Sequence, residues 1–223
     1  MNITPAHLLR AAGLSAAAAG VLFALMQFIH PVETVANVET SAWTNVHYIG
    51  ILMCLLGMVG VAGIYLRQVR ESGLLGLAGC VMLVSFFFLT AGFQFIEAFA
   101  LPEMTDDAPQ LVTHILGIST GKDTGDLGAI TAIWPITGAL YLAGGLVFSV
   151  ALYRARVLAR WASIMLAAGV AVTLAMPAVP HSTARLFAFP VALALVGLGL
   201  SLWRDQRSST TAAAAPNLNL AVR

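Results

Sequence analysis

Six long apolar runs, parted by short polar or charged segments, make up most of this chain. They occupy residues 8–30, 46–66, 74–101, 127–153, 161–178 and 185–203. Each is long enough, or nearly so, for a helix to cross a bilayer, which takes about 20 residues. The runs are continuously apolar instead of alternating with period two, which excludes the strands of a membrane barrel. The pattern therefore predicts an all-α protein: a six-helix transmembrane bundle over 1–203, forming one domain. Residues 102–126 are expected as a loop outside the membrane. The Ser/Thr/Ala-rich segment 204–223 is expected as a disordered tail.

Composition agrees with this reading. Hydrophobic residues make up 59% of the 223 and charged residues 9%, against about 25% charged in soluble domains. The net charge of +1 leaves no basic footprint for nucleic acid, because the arginines serve another purpose. Arg10, Arg67, Arg70, Arg154, Arg156, Arg160, Arg204, Arg207 and Arg223 fall on one side of the six runs. Only Lys122 and Arg185 fall on the other, together with Glu33, Glu39, Glu103, Asp106, Asp107, Asp123 and Asp126. The positive-inside rule then places both termini in the cytoplasm, with the chain folded as three in–out–in hairpins. The first run, with Arg10 near its start as an n-region, has the outline of a signal peptide, but the charge alternation works best with six spans.

Small residues recur at helical spacing: Gly57, Gly60 and Gly63; Gly73, Gly76 and Gly79; and Ala16 to Gly20. Such stripes let helix backbones approach closely where no hydrophobic drive separates protein from lipid. They are expected to serve packing. Within the outer loop, Asp106-Asp107-Ala108-Pro109 reads as a helix start and Gly117 as a stop. Leu111, Val112, Ile115 and Leu116 would give that short helix an apolar face, suited to lie over the bundle mouth.

Candidate chemistry gathers at the outer ends of the spans. Gln27-Phe28-Ile29-His30 and Gln94-Phe95-Ile96-Glu97 are the same tetrapeptide with one polar end exchanged. The two polar residues of each share a helix face. His47 opens the second span, Trp134 the fourth, and His181 and Arg185 precede the sixth. An ionisable residue in a span is a functional candidate because a charge at mid-bilayer costs about 2.5–3.5 kcal/mol on insertion scales. Glu97 stands close to the outer interface, so an anchoring role is the alternative. The expected ligand site is Gln27, His30, His47, Gln94, Glu97, Trp134 and Arg185. As an enzyme, the protein would use Glu97 with His30 or His47 as acid and base. His30 and His47 are also the residues that would ligate a haem, or a metal ion together with Glu97. Phe86-Phe87-Phe88, Phe93, Phe95 and Phe99 cover most of one helix circumference, so some face lipid and some the interior. Gly117-Ile118-Ser119-Thr120-Gly121 matches G-x-S-x-G, but that elbow needs a strand before it, and none is expected.

Four features, His30-Pro31, Trp43 with His47, Gly63-Ile64-Tyr65-Leu66-Arg67, and Glu97-Ala98-Phe99 with Pro102, together resemble a broad group of uncharacterised bacterial six-span integral membrane proteins. The resemblance covers mainly the first half of the chain. It implies a small cytoplasmic-membrane protein and carries no activity with it. Three classes remain open: a binding or transport protein for a small hydrophobic or lipidic molecule, an integral-membrane enzyme on an isoprenoid or lipid substrate, and an accessory subunit of a larger complex or homo-oligomer.

Overall fold

The computed structural model describes residues 3–120, 125, 127–179 and 185–214, and they contain helix and no strand. The helices are α1 (Pro5–Ile29), α2 (Val35–Val38), α3 (Ser41–Arg67), α4 (Val69–Phe95), α5 (Leu101–Met104), α6 (Pro109–Thr120), α7 (Ala129–Ala155), α8 (Arg160–Val172) and α9 (Ala188–Ala214). One π-helical turn, Ile96–Ala100, joins α4 to α5. Two 3-10 segments, Thr173–Ala178 and Arg185–Phe187, follow α8 and precede α9. Five helical stretches are long and apolar enough to cross a membrane: Pro5–Ile29, Ser41–Arg67, Val69–Met104, Ala129–Ala155 and Arg185–Arg207. The fifth expected span, 161–178, is a shorter apolar helix. The protein is therefore a helical, multi-pass membrane protein. The last helix runs on to Ala214, past the tail boundary expected at 204.

The long helices pack in a closed ring. α1 meets α3, α3 meets α4, α4 meets α7, α7 meets α8, α8 meets α9, and α9 returns to α1. Each neighbouring pair is antiparallel, as the contacts of α4 with α7 illustrate. Gly79 lies against Phe148, Phe86 against Tyr141 and Phe93 against Trp134, so one sequence rises as the other falls. At the centre is a small apolar cavity of about 40 Å³. Every ring helix lines it, with Phe23, Met53, Phe87, Tyr141, Leu166 and Leu195 as one contribution from each.

The glycines divide by purpose. A Cβ on Gly13 would meet the Gly199 carbonyl at 2.7 Å, and one on Gly20 the Ala192 carbonyl at 2.5 Å. These two positions let α1 and α9 touch backbone to backbone. Gly60 and Gly63 lie on Ala16 and Ala12 of α1, whereas Gly57 makes room for the Phe87 ring of α4. Gly73 departs from the expected packing stripe. It has φ +54° and nothing within 4 Å of a built Cβ, and it breaks α4 one turn after its start. Its role is conformational: the left-handed φ is open to glycine and strained for other residues.

At the end of the ring where α3 finishes (the inner end, its opposite being the outer end), Arg67 of α3 grips Asp205 of α9 through two hydrogen bonds, Nε to Oδ2 at 2.5 Å and Nη2 to Oδ1 at 3.0 Å. This clamp closes the ring beside the N-terminal end of α1. Two cations also lie over aromatic faces, Arg160 on Tyr153 at 4.0 Å and Arg207 on Trp203 at 4.7 Å.

Candidate functional site

The outer end of the ring holds a polar cluster built around Trp43. Thr40 caps α3 by accepting the Trp43 backbone N–H, which sets the first turn of the helix. One turn later His47 is fully buried, and its Nδ1–H donates to the Trp43 carbonyl at 2.7 Å. A carbonyl can only accept, so Nδ1 carries a proton. The other ring nitrogen, Nε2, lies 3.2 Å from Glu97 Oε2, an ion-pair contact off the hydrogen-bonding axis. Glu97 is itself 16% exposed.

Glu97 reaches this position through the π-helical turn. There the Leu101 N–H bonds the Ile96 carbonyl, which releases the carbonyl of Glu97. Pro102 has no N–H with which to reclaim it. The Trp43 indole N–H takes it instead, at 2.8 Å. Trp43 therefore holds both partners, His47 through its carbonyl and Glu97 through its indole. A π turn inside an α-helix is often placed at functional positions.

His30 completes the cluster. Its ring stands edge-on to His47, with centroids 5.2 Å apart, and edge-on to Trp43 at 5.8 Å. Its Nδ1–H donates to the Pro31 carbonyl at 2.7 Å. Arg185 Nη1 donates to the His30 carbonyl at 3.1 Å, so the segment leading into α9 is tied to the end of α1. Trp43, His47 and Glu97 thus meet His30 and, through its backbone, Arg185.

The remaining expected residues are placed differently. Gln94 faces Gly50 on α3, one turn deeper than Glu97, and its Oε1 is buried without a hydrogen-bond partner. Gln27 donates to the Phe23 carbonyl of its own helix at 3.1 Å. Trp134 packs edge-to-face on Phe93, at 5.2 Å, in the α4–α7 interface. His181, Lys122, Asp123 and Asp126 lie outside the described residues. Among the described residues no group of three His, Cys, Asp or Glu side chains is arranged to hold a metal ion. For a haem, both imidazole Nε2 atoms would have to face one iron, whereas His47 Nε2 is turned to Glu97.

The cluster is roofed and flanked by apolar surface. α6 sets Val112 and Leu116 against Trp43, Val38 and Leu101, forming a small core over the outer mouth. The helix begins at Pro109 as its sequence predicts, but it runs through Gly117 to Thr120. On the outer surface of the ring a groove of about 520 Å³ runs over α3, α4 and the start of α7. Leu55, Met58, Phe88, Gly92, Phe95 and Ile133 line it, and Ile96 beside Glu97 lies at its edge. The phenylalanines of α4 are shared out accordingly: Phe87 and Phe93 are buried, while Phe88, Phe95 and Phe99 lie on the outside.

Comparison with known proteins finds no matching family model, no matching curated protein and no matching solved structure. The site must be interpreted from its own geometry. Two of its parts escaped sequence reasoning. Trp43 was readable as the partner of His47, four residues on along one helix face. The π turn has no periodic signature, and Pro102 was the single hint of it.

Proposed function

We propose that the protein is a six-span protein of the bacterial cytoplasmic membrane, with both termini cytoplasmic. In this reading it binds a small amphipathic molecule at the outer end of the bundle. The polar end of the ligand meets the His47–Glu97 pair and its apolar part lies along the groove on α3 and α4. The sixth crossing is supported by length: α8 with the 3-10 segment after it extends about 30 Å, close to one hydrocarbon thickness. Ligand pockets typically have volumes of roughly 300–1,000 Å³. The groove falls in that range, whereas the central cavity has room for only a few waters. The groove is therefore the better bed for a chain.

The observation that carries this reading is the buried His47–Glu97 contact. With Nδ1–H committed to a carbonyl, Nε2 and Oε2 would face each other with bare lone pairs unless one proton lies between them. One shared proton leaves the pair either imidazolium–carboxylate or imidazole–carboxylic acid, and net neutral in both forms. A neutral pair can sit near apolar surface without the cost of a lone charge. It can also orient a ligand head by donating and accepting. The same shared proton favours a second reading, an acid–base enzyme acting on a lipidic substrate.

Native mass spectrometry of the gently purified protein separates these readings. A retained, intact amphipathic ligand that is lost in Glu97→Ala supports the binding protein. Conversion of an added lipid by wild type, lost in both Glu97→Gln and Glu97→Ala, supports the enzyme. Neither retention nor conversion would remove both. Topology is tested by cysteine labelling: a probe at position 208 should react only from the cytoplasmic side and one at 119 only from outside. The reverse pattern would overturn the orientation.

A further inference from the structure

The interface between α3 and α4 carries a polar ladder descending from the His47–Glu97 pair. Its register is set by three contacts: His47 faces Glu97, Gly50 faces Gln94, and Gly57 faces Phe87. Each advance along α3 is matched by an equal retreat along α4, so the same register puts Cys54 opposite Thr90. Two buried polar atoms below the pair have no hydrogen-bond partner: Gln94 Oε1 and Thr90 Oγ1. At 1.5 Å of rise per residue, Gln94 lies about 4.5 Å and Thr90 about 10 Å below Glu97. Buried polar atoms are paired in the great majority of cases, so two orphans four residues apart on α4 call for a partner.

Resting on the binding reading above, we propose that this ladder is the head-group subsite for a long-chain alcohol. The donor inventory selects that class. Gln94 Oε1 only accepts, so it requires an O–H or N–H. The Thr90 hydroxyl donates or accepts, and the His47–Glu97 pair is net neutral. A phosphate or carboxylate would bring acceptor against acceptor and a negative charge against Glu97. An ammonium would be buried with no unbalanced charge to meet it. A hydroxyl supplies one donor and two lone pairs, and it carries no charge into the membrane. Gly50 lets the carboxamide pack directly on the α3 backbone, since a Cβ there would overlap Gln94. The chain of such a ligand would leave the ladder toward the groove, whose lining includes Phe93 and Phe95 on either side of Gln94.

The test measures binding of tetradecanol, tetradecyl phosphate, myristic acid and tetradecane to the full chain in detergent, by native mass spectrometry with competition. The alcohol should bind about tenfold or more tightly than the other three, because they leave buried acceptors unpaired. Gln94→Leu and Thr90→Val should each weaken the alcohol about three- to tenfold and leave tetradecane unchanged, while Thr90→Ser should retain alcohol binding. A thermal melt of each variant confirms that it is folded, and Thr90→Ser carries the comparison where Thr90→Val unfolds. Equal binding of all four chains, or an alcohol preference that survives Gln94→Leu and Thr90→Val, would overturn the subsite while leaving the groove as a chain-binding surface. Binding of none would overturn both.

Discussion

Trp43 is the residue on which the outer cluster depends, because one side chain and its own carbonyl serve two helices. Trp43→Phe removes the indole N–H together with one ring of the indole, at a fully buried position. The Glu97 carbonyl then loses its indole partner, at a cost of about 1–3 kcal/mol, and the lost ring volume adds a cavity term. The expected result is a lower melting temperature in detergent together with a shifted carboxyl band of Glu97 in difference infrared spectra. An unchanged band would mean that Glu97 is held without Trp43. Arg156 makes a second prediction at this scale. It ends α7 in the left-handed conformation, with φ +58°, and no other described residue except glycine has a positive φ. That conformation costs roughly 1–2 kcal/mol for residues other than glycine. Arg156→Gly should therefore raise stability by about 1 kcal/mol in denaturant titration.

Among the elements, the glycines separate packing from conformation in a way that substitution can read. Gly20→Val would drive side-chain atoms into the Ala192 carbonyl of α9 and into Val196. Overpacking of this kind costs about 1–3 kcal/mol or more, and α1 would separate from α9. Gly73→Ala should be destabilising by about 1 kcal/mol through backbone strain alone, since the space around it is open. Gly92→Ala should have the opposite sign. Gly92 lies inside α4 with nothing within 4 Å of a built Cβ, so alanine gains helix propensity, about 0.5–1 kcal/mol. Thermal melts of the three variants check the order, and a stable Gly20→Val would remove the close α1–α9 contact. The sequence grouped Gly73 with Gly76 and Gly79 because all three repeat at helical spacing. Spacing cannot distinguish a glycine that a neighbouring helix needs from one that its own backbone needs.

For the molecule as a whole, ring closure joins the first helix to the last and adds the Arg67–Asp205 clamp across α3 and α9. The pair is bidentate, and each side chain is about a quarter exposed. Its coupling in a double-mutant cycle is therefore expected near 1 kcal/mol, above most surface pairs and below a buried one. The charge-exchanged Arg67→Asp, Asp205→Arg double variant should recover part of the loss from either single change. No coupling would show that the small-residue contacts of α1 close the ring unaided. What the sequence determined by itself follows from solvent physics acting on each segment separately. Long apolar runs must form helices to satisfy their own backbone in lipid, so the helical class and the multi-pass character were legible. The small helix over the mouth was legible too, from its cap and its apolar face. Only the tertiary structure decided which faces meet. It set His47 against Glu97, assigned Trp43 to both, put Gln94 over Gly50, and turned Trp134 toward Phe93 and Gln27 back on its own helix. It also paired Arg67 with Asp205 across 138 residues of chain. These contacts depend on helix register and on a π turn that frees the Glu97 carbonyl for Trp43. Neither is a property of any one segment, because register exists only once two helices have packed.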